Sequence, residues 1–575
     1  MSREFSIGTE RVDDVPLLLT QIRAMGIAEL VDEHFSTNGN WKGVSLGTLL
    51  EVWLAFILSE SNHRLSHLRA WAEARLTLLE SCVGAPVRAL DFTDDRLATL
   101  LDYISLTPAW NRFEAALGRR LIRAYDLTPK RTHIDSTTAS GYGEIADGGL
   151  FQLGHSKDHR PDLGQVKINI AILDPLGLPL STTIVSGQCA DDPLYVPEIK
   201  RIQETLARSG ITHVGDSKMA ALATRAYVAS SGDFYLCPLP SVQMPEAEMV
   251  RVLEPIWDGT QPVTEIVRDA EPIAVGYEYR VEMSAQGPKQ ETVRWSERRL
   301  VIRSLQSAES QQQALETRLA KALEELGKLS EQRQGKQRLR EETQAREAVE
   351  RIVAKHRVQG LIGVTYTTEI TTESVRRYGA RAAGIREERT VKLSVAVNSG
   401  ALERAKDRMG WRVYVTNQPL EQMSLEQAVL AYRAEYLVER GFARMKGKPL
   451  SLTPMYLNSD ERVVGLIRVL SIGLRVVTLL EYTARKRLGE ERASLSGIYK
   501  GNPKRATQRP TAEMMLSAFE GVTMTLLTQD GSTRAHVTPL NEVQQRILAL
   551  FGFSPDLYSR LAQHFSEPPL NLSEP

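Results

Sequence analysis

Between Arg131 and Cys237 the chain alternates strand-like and helix-like runs in an order that few folds accommodate. Arg131-Thr-His-Ile-Asp-Ser-Thr-Thr-Ala-Ser140 is rich in β-branched residues and bracketed by Pro129 and Gly141, which reads as a strand. Two more strands are expected from Val166 to Leu173 and from Pro179 to Val185, joined by Asp174-Pro-Leu-Gly177, a composition suited to a hairpin turn. A helix from Tyr195 to Arg208, a strand ending at Asp216, a helical pattern from Met219 to Val228 and a strand from Phe234 to Cys237 follow. Two aspartates, Asp135 and Asp216, therefore fall in or at the end of strands that a central sheet brings side by side. Each has a plainer role available: Asp135 as a side-chain-capped turn, Asp216 as a helix cap. Asp191 and Asp192 are alternative second ligands, but no strand leads into them, and Asp174 is a weaker rival because it belongs to the turn.

Three strands, a helix, a strand, a helix and a strand is the order of a ribonuclease-H-like core. A third carboxylate comes from Tyr432-Arg-Ala-Glu-Tyr-Leu-Val-Glu439-Arg-Gly-Phe-Ala-Arg-Met-Lys446. Tyr432, Glu439 and Lys446 are spaced by seven, nearly two helical turns, so a continuous helix sets all three on one stripe. Asp135, Asp216 and this stripe together resemble the Asp-Asp-Glu triad of bacterial insertion-sequence DDE transposases. The branch resembled carries a Tyr-x2-Arg-x3-Glu-x6-Lys signature, and Gly154-His-Ser-Lys-Asp-His-Arg-Pro-Asp-Leu163 resembles its stretch after the first aspartate. The likeness runs from about Val15 to Phe519. It departs at one position, where Glu435 replaces the signature arginine. Glu435 is expected either to join the metal-binding cluster or to be neutralised by Arg433 or Arg440.

The resemblance implies a DNA transposase that cuts at transposon ends and joins them to target DNA. Asp135, Asp216 and Glu439 would be catalytic residues and ligands of Mg2+, for which Mn2+ could substitute. Carboxylate oxygens suit such hard ions better than imidazole or thiolate. The partners implied are double-stranded DNA, as terminal inverted repeats and target, and a second copy of the chain on that DNA. Tyr432, Lys446, Arg440, Lys504, Arg505 and Arg509 are the candidate DNA contacts. The rival functions are a metal-dependent nuclease of the same fold without strand transfer, and a non-catalytic DNA-binding derivative.

At 575 residues with 42% hydrophobic content the chain can build several cores. Its 71 basic and 71 acidic residues balance, which argues against a general nucleic-acid coat and leaves DNA contacts to local patches. Three scattered cysteines and no apolar leader near Met1 fit a reducing cytoplasm. The run from Val463 to Leu480 contains Arg468 and Arg475. Each would cost roughly 2.5–3.5 kcal/mol at a bilayer centre, so a buried helix is expected, with no membrane partner.

The fold class expected is α/β: a ribonuclease-H-like core with a large α+β insertion, flanked by helical N- and C-terminal regions. Residues 1–127 read as a helical domain suited to end binding, with Thr107 capping a helix that has Pro108 at its first position. Residues 128–240 and 409–457 make the two parts of the core, the second holding the Glu439 helix. Between them, 241–408 is an insertion of strands plus a charged helical hairpin from Ser304 to His356. Residues 458–575 read as helical, with possible roles in DNA or dimer contacts. Within them lies an extended basic loop, Tyr499-Lys-Gly-Asn-Pro-Lys-Arg-Ala-Thr-Gln-Arg-Pro510, and a disordered tail from Ser566. His63 and His67 sit one turn apart but lack a third ligand. His155, Lys157, His159 and Arg160 form a polar loop that either touches DNA near the cut or is merely solvated.

Overall fold

The computed structural model describes residues 5–563 except 155, 288–289, 331–339, 376–378, 380–383, 458 and 530–531. Strand β1 (Phe5–Arg11) leads into helices that fill residues 15–124, ending with Thr107–Ala124. Their apolar stripes bury Trp53, Phe92, Trp110 and Phe113 completely. The last helix starts one residue earlier than its composition suggests. Leu106 occupies the cap, and the Thr107 hydroxyl instead accepts from Arg468 at 3.1 Å.

The central strands are β2 (Arg131–Ser140), β3 (Gln165–Leu173), β4 (Leu178–Ser186), β5 (Thr212–Gly215) and β6 (Phe234–Pro238). Helices Tyr195–Leu206 and Leu222–Ser230 come before and after β5, in the order expected from the sequence. β2, β3 and β4 form an antiparallel meander, whereas β5 and β6 run parallel to β2. Parallel neighbours require crossover connections, which these helices supply.

The strands β7 (Thr264–Arg268), β8 (Glu271–Gln286) and β9 (Thr292–Ser304) extend that same sheet. They join it through β12 (Trp411–Thr416), giving nine strands in the order β4-β3-β2-β5-β6-β12-β9-β8-β7. Helices Leu305–Ser330 and Glu342–His356 form the expected hairpin, and the paired ribbon of β10 (Ile362–Val375) and β11 (Gly384–Val397) packs against it. The ribbon strands are longer than their β-branched cores suggested.

The C-terminal region is not purely helical. β13 (Thr523–Gln529) pairs with both β1 and β14 (Ser532–Val537), tying the two ends of the chain into a three-stranded sheet. Such a pairing bridges some five hundred residues, a distance over which local periodicity carries no signal. The tail expected to be disordered lies outside the described residues.

Helix Asp460–Glu490 is long and apolar enough to cross a membrane, yet 94% of its apolar span is buried inside the fold. Its arginines are engaged there. Arg468 donates to the carbonyls of Ile104 (3.0 Å) and Ser105 (2.7 Å) and lies over the Trp110 ring, and Arg475 meets Glu114.

Candidate active site

The parallel register of β2 and β5 pairs Ile134 with Gly215, so the next residues in that register are Asp135 and Asp216. Neighbouring strands lie about 4.8 Å apart and paired residues share a face, which puts the two aspartates side by side. Gly215 is needed for this. A Cβ there would come within 2.8 Å of the Tyr195 ring, whose hydroxyl donates to Asp216 Oδ1 at 2.7 Å. The sequence pattern has Asp216 leading straight into a helix from Met219, and the structure differs. Asp216 Oδ1 accepts from the Lys218 backbone N–H at 2.9 Å, closing a turn, and helix begins only at Leu222.

Burial, opposed by the Lys157 ammonium, pushes the Asp135 carboxyl up to about 6; the charges of Asp216 and Asp191 add to that rise. Lys157 Nζ lies 3.8 Å from Asp135 Oδ1 and donates to the Ser136 carbonyl, so the polar loop folds back over the first aspartate. His155 lies outside the described residues. Asp191 is held by Ser136 Oγ (2.7 Å) and Lys167 Nζ (2.8 Å), a structural brace beside the site.

The stripe from Tyr432 to Lys446 is not one helix. Leu425–Arg433 ends, Ala434 and Glu435 form a tight turn, and Tyr436–Lys446 begins a second helix. The i→i+3 bonds from Leu437 to Ala434 (3.0 Å) and Val438 to Glu435 (3.0 Å) replace α-helical ones at the break. Nothing in the composition of this stretch marks the break, since it contains no Gly or Pro before Gly441. The second helix packs on β2 and β3, and Glu435, at its cap, lies within reach of the Asp135 charge. Glu439 is solvent-exposed, whereas Glu435 is half-buried. Burial raises the Glu435 carboxyl to about 7, and Asp135 is the foremost charge adding to that rise, ahead of Glu439 and Asp216.

Neither arginine expected to neutralise Glu435 does so. Arg433 donates to the Ile273 carbonyl (3.0 Å) and Ser304 Oγ (3.1 Å), while Arg440 grips both oxygens of Glu481 at 2.7 and 2.8 Å. Both guanidiniums are drawn to acceptors on other elements, and among the described residues Glu435 meets the Tyr432 phenol. Tyr432 packs its ring on Tyr414, with centroids 4.6 Å apart.

Lys446 Nζ pairs with Asp158 Oδ1 at 2.6 Å, and Asp158 Oδ2 accepts from the Ser140 backbone at 3.0 Å. In the basic loop Lys504, Arg505 and Arg509 are exposed; Arg505 lies over the Tyr499 ring and Lys500 pairs with Glu520. The histidine pair near the N-terminus splits: burial lowers the His63 affinity for protons, and His67 Nδ1 meets the Asn62 amide at 3.0 Å.

Arg268 and Arg412 gave no sequence signal. With Arg433 they line a cleft of about 490 Å³ that Tyr432, Glu435 and Glu439 also line. They come from β7 and β12, and only the sheet order brings them there.

Among the described residues no three His, Cys, Asp or Glu side chains close into a ready-made metal cage. The groups gathered here are nevertheless all carboxylates, the donor type a hard dication prefers. Such an ion keeps several waters and needs only one or two protein carboxylates together with substrate phosphates. The donor set therefore fits a divalent metal loaded with its substrate.

No curated protein matches the chain. A solved structure, a piggyBac transposase synaptic complex with hairpin DNA, is similar over 84% of each chain at 11% identity. Its TM-score of 0.23 is too low to carry an argument about this molecule. The family profile described as "Transposase DDE domain" matches residues 127–473, more than half of the chain and the whole stretch from β2 to Glu439. The chain belongs to the DDE transposase family.

Proposed function

We propose that this transposase is of the bacterial insertion-sequence branch with the Tyr-x2-Arg-x3-Glu-x6-Lys signature, built on a ribonuclease-H-like core. Asp135, Asp216 and Glu439 are its reactive-site carboxylates, and Mg2+ is its metal. The observation that supports this reading is the register of β2 and β5, which pairs Ile134 with Gly215 just before Asp135 and Asp216, while the helix that follows Glu435 and holds Glu439 packs on β2. A pair of divalent ions would activate an attacking oxygen and stabilise the departing one. The chain's own groups do the rest. Lys157 offsets negative charge beside Asp135, Tyr195 fixes the Asp216 rotamer, and Lys446 exchanges Asp158 for a DNA phosphate. Arg268, Arg412 and Arg433 would track the backbone along the cleft, and Lys504, Arg505 and Arg509 farther out.

Water would first cut the strand at the transposon end, and the freed 3′-hydroxyl would attack target DNA. Residues 1–127 would hold the ends, and two copies would act on one DNA complex in the bacterial cytoplasm. The test is an in vitro reaction with DNA carrying the sequences that flank the gene. Joined donor–target products are expected; cutting without joining would favour the nuclease reading.

A second reading of the third carboxylate rests on the half-burial of Glu435 beside Asp135. In it Glu435 supports a metal ion directly. Glu435→Arg would then place a guanidinium against Asp135 and compete with the metal. Cleavage should fall about 10- to 100-fold, the usual cost of disturbing a metal's supporting groups, and the Mg2+ requirement should rise. Preserved or increased cleavage would return this position to the phosphate-binding role of the signature arginine.

The raised proton affinities also predict a pH dependence. Asp135 and Glu435 hold protons more tightly folded than unfolded, their ordinary values being 3.8 and 4.5. Their contribution to metal-free stability is therefore fully present below those values and is lost as pH rises through about 6 to 7. A bound dication replaces the protons and relieves that loss. Mg2+ should raise the melting temperature more at about pH 8 than at about pH 5. Equal shifts in a thermal melt would remove these carboxylates from the metal site.

A further inference from the structure

Tyr142 and Tyr456 stack face to face on the surface, with ring centroids 5.3 Å apart and planes within 10°. They are 54% and 65% exposed, and among the described residues no other ring pair leaves both members open to solvent. Two large rings stacked in parallel and largely open to water form an exposed aromatic platform.

Its position is set by the two segments that carry the reactive-site carboxylates. From Asp135 β2 continues to its end at Ser140, and Tyr142 is two residues farther on. The other segment runs from Glu439 along its helix to Lys446 and reaches Tyr456 through the irregular loop 447–455. The two meet at the platform: Gly141 bridges Met455, and the Tyr142 N–H donates to the Met455 carbonyl at 3.0 Å. Lys446, through Asp158, is fastened to Ser140 at the same place. Arg160, itself held by Asp162 at 2.9 and 2.7 Å, also reaches Tyr142. Strand rise puts the platform about 20 Å from Asp135, a few nucleotides along one DNA strand.

We infer that the Tyr142–Tyr456 pair is a stacking site for an unpaired nucleobase of the strand that passes through the active site. This rests on the transposase reading above. Bases within a duplex are covered on both faces by their neighbours, so only an unpaired base can offer its face to a ring. Stacking of that kind tolerates any sequence, and nearby cations hold the phosphates on either side. Lys446, Lys157 and Arg160 supply those cations between the carboxylates and the platform.

The test uses the full chain and two fluorescent probes: a blunt hairpin duplex, and the same duplex with a short oligothymidylate overhang carrying one 2-aminopurine. Wild type should bind the overhang probe about tenfold more tightly than the blunt one and quench the 2-aminopurine. Tyr142→Ala and Tyr456→Ala should each remove most of that advantage, leaving blunt-duplex affinity and its salt dependence unchanged. Tyr456→Phe, which keeps the ring, should retain it. Alanine variants that melt normally and keep both the preference and the quenching would overturn the inference, as would a wild type that shows no preference. Failure of the wild type to bind either probe would instead overturn the DNA-site reading beneath it.

Discussion

Asp135→Asn, Asp216→Asn and Glu439→Gln are each expected to lower strand cleavage by about a thousandfold or more while leaving DNA affinity within a small factor of wild type. A metal-assisted site places several kcal/mol of charge stabilisation at the reacting phosphate, and each 1.4 kcal/mol or so is tenfold in rate. Affinity, by contrast, comes mainly from basic groups on the backbone phosphates. On the function proposed above those would be Lys446, Arg268, Arg412, Arg433 and the exposed loop cations, none of which the three substitutions alter. Asp135 and Asp216 should be the most sensitive, because the register of β2 and β5 fixes the backbone immediately before both. Glu439 is different. It is exposed, and Glu435 stands one turn away, closer to Asp135 in its electrostatics. Gel assays of cleavage and binding on the same variants decide the matter. Full cleavage by the Asp135 variant would remove it from the mechanism, and full cleavage by Glu439→Gln with loss in Glu435→Gln would move the third ligand to Glu435.

The strand positions of the two aspartates were legible because their signals are local: a β-branched run with a carboxylate inside it or just after it predicts where that carboxylate sits in a sheet. The same holds for the helical hairpin before β10 and for β12. Glu439 was legible through its spacing from Tyr432 and Lys446, although that spacing assumed a continuous helix. The turn at Ala434 and Glu435 left no compositional trace, because neither residue is a helix breaker; the packing of Tyr432 on Tyr414 and of the next helix on β2 imposes it. Arg268, Arg412, Tyr142 and Tyr456 were invisible for another reason. Each reaches its proposed site only through a neighbour brought in by the fold, and isolated arginines or tyrosines in loops and strands are unremarkable in a sequence. The departures of Arg433 and Arg440 from Glu435 have the same origin. Helical spacing places charges near one another, but Glu481, Ile273 and Ser304, on distant elements, offer better acceptors.

Glu114→Gln is expected to destabilise the fold by about 3–5 kcal/mol, the cost of leaving a buried charge without its partner. Glu114 is 1% exposed and stands where four elements meet. One carboxylate oxygen takes Arg475 of helix Asp460–Glu490; the other takes Arg201 of helix Tyr195–Leu206 and the Thr182 backbone N–H of β4 at 3.1 Å. Arg475 is itself fully buried, with the Pro179 carbonyl (3.0 Å) and Ser471 Oγ (2.9 Å) as its remaining acceptors. An amide in place of the carboxylate keeps the shape but leaves the Arg475 guanidinium without a counter-charge. This interaction ties the N-terminal helices to the sheet that holds Asp135, so the loss should appear as global unfolding at lower denaturant and not as local fraying. A companion variant separates charge from packing. Glu114→Leu combined with Arg475→Leu removes both charges together and should recover much of the lost stability, because replacing a buried pair by apolar groups is often close to neutral. Chemical denaturation of both variants gives the comparison. A Glu114→Gln protein within about 1 kcal/mol of wild type, the scale of an ordinary substitution, would show that Arg475 is satisfied by its carbonyl and hydroxyl acceptors alone.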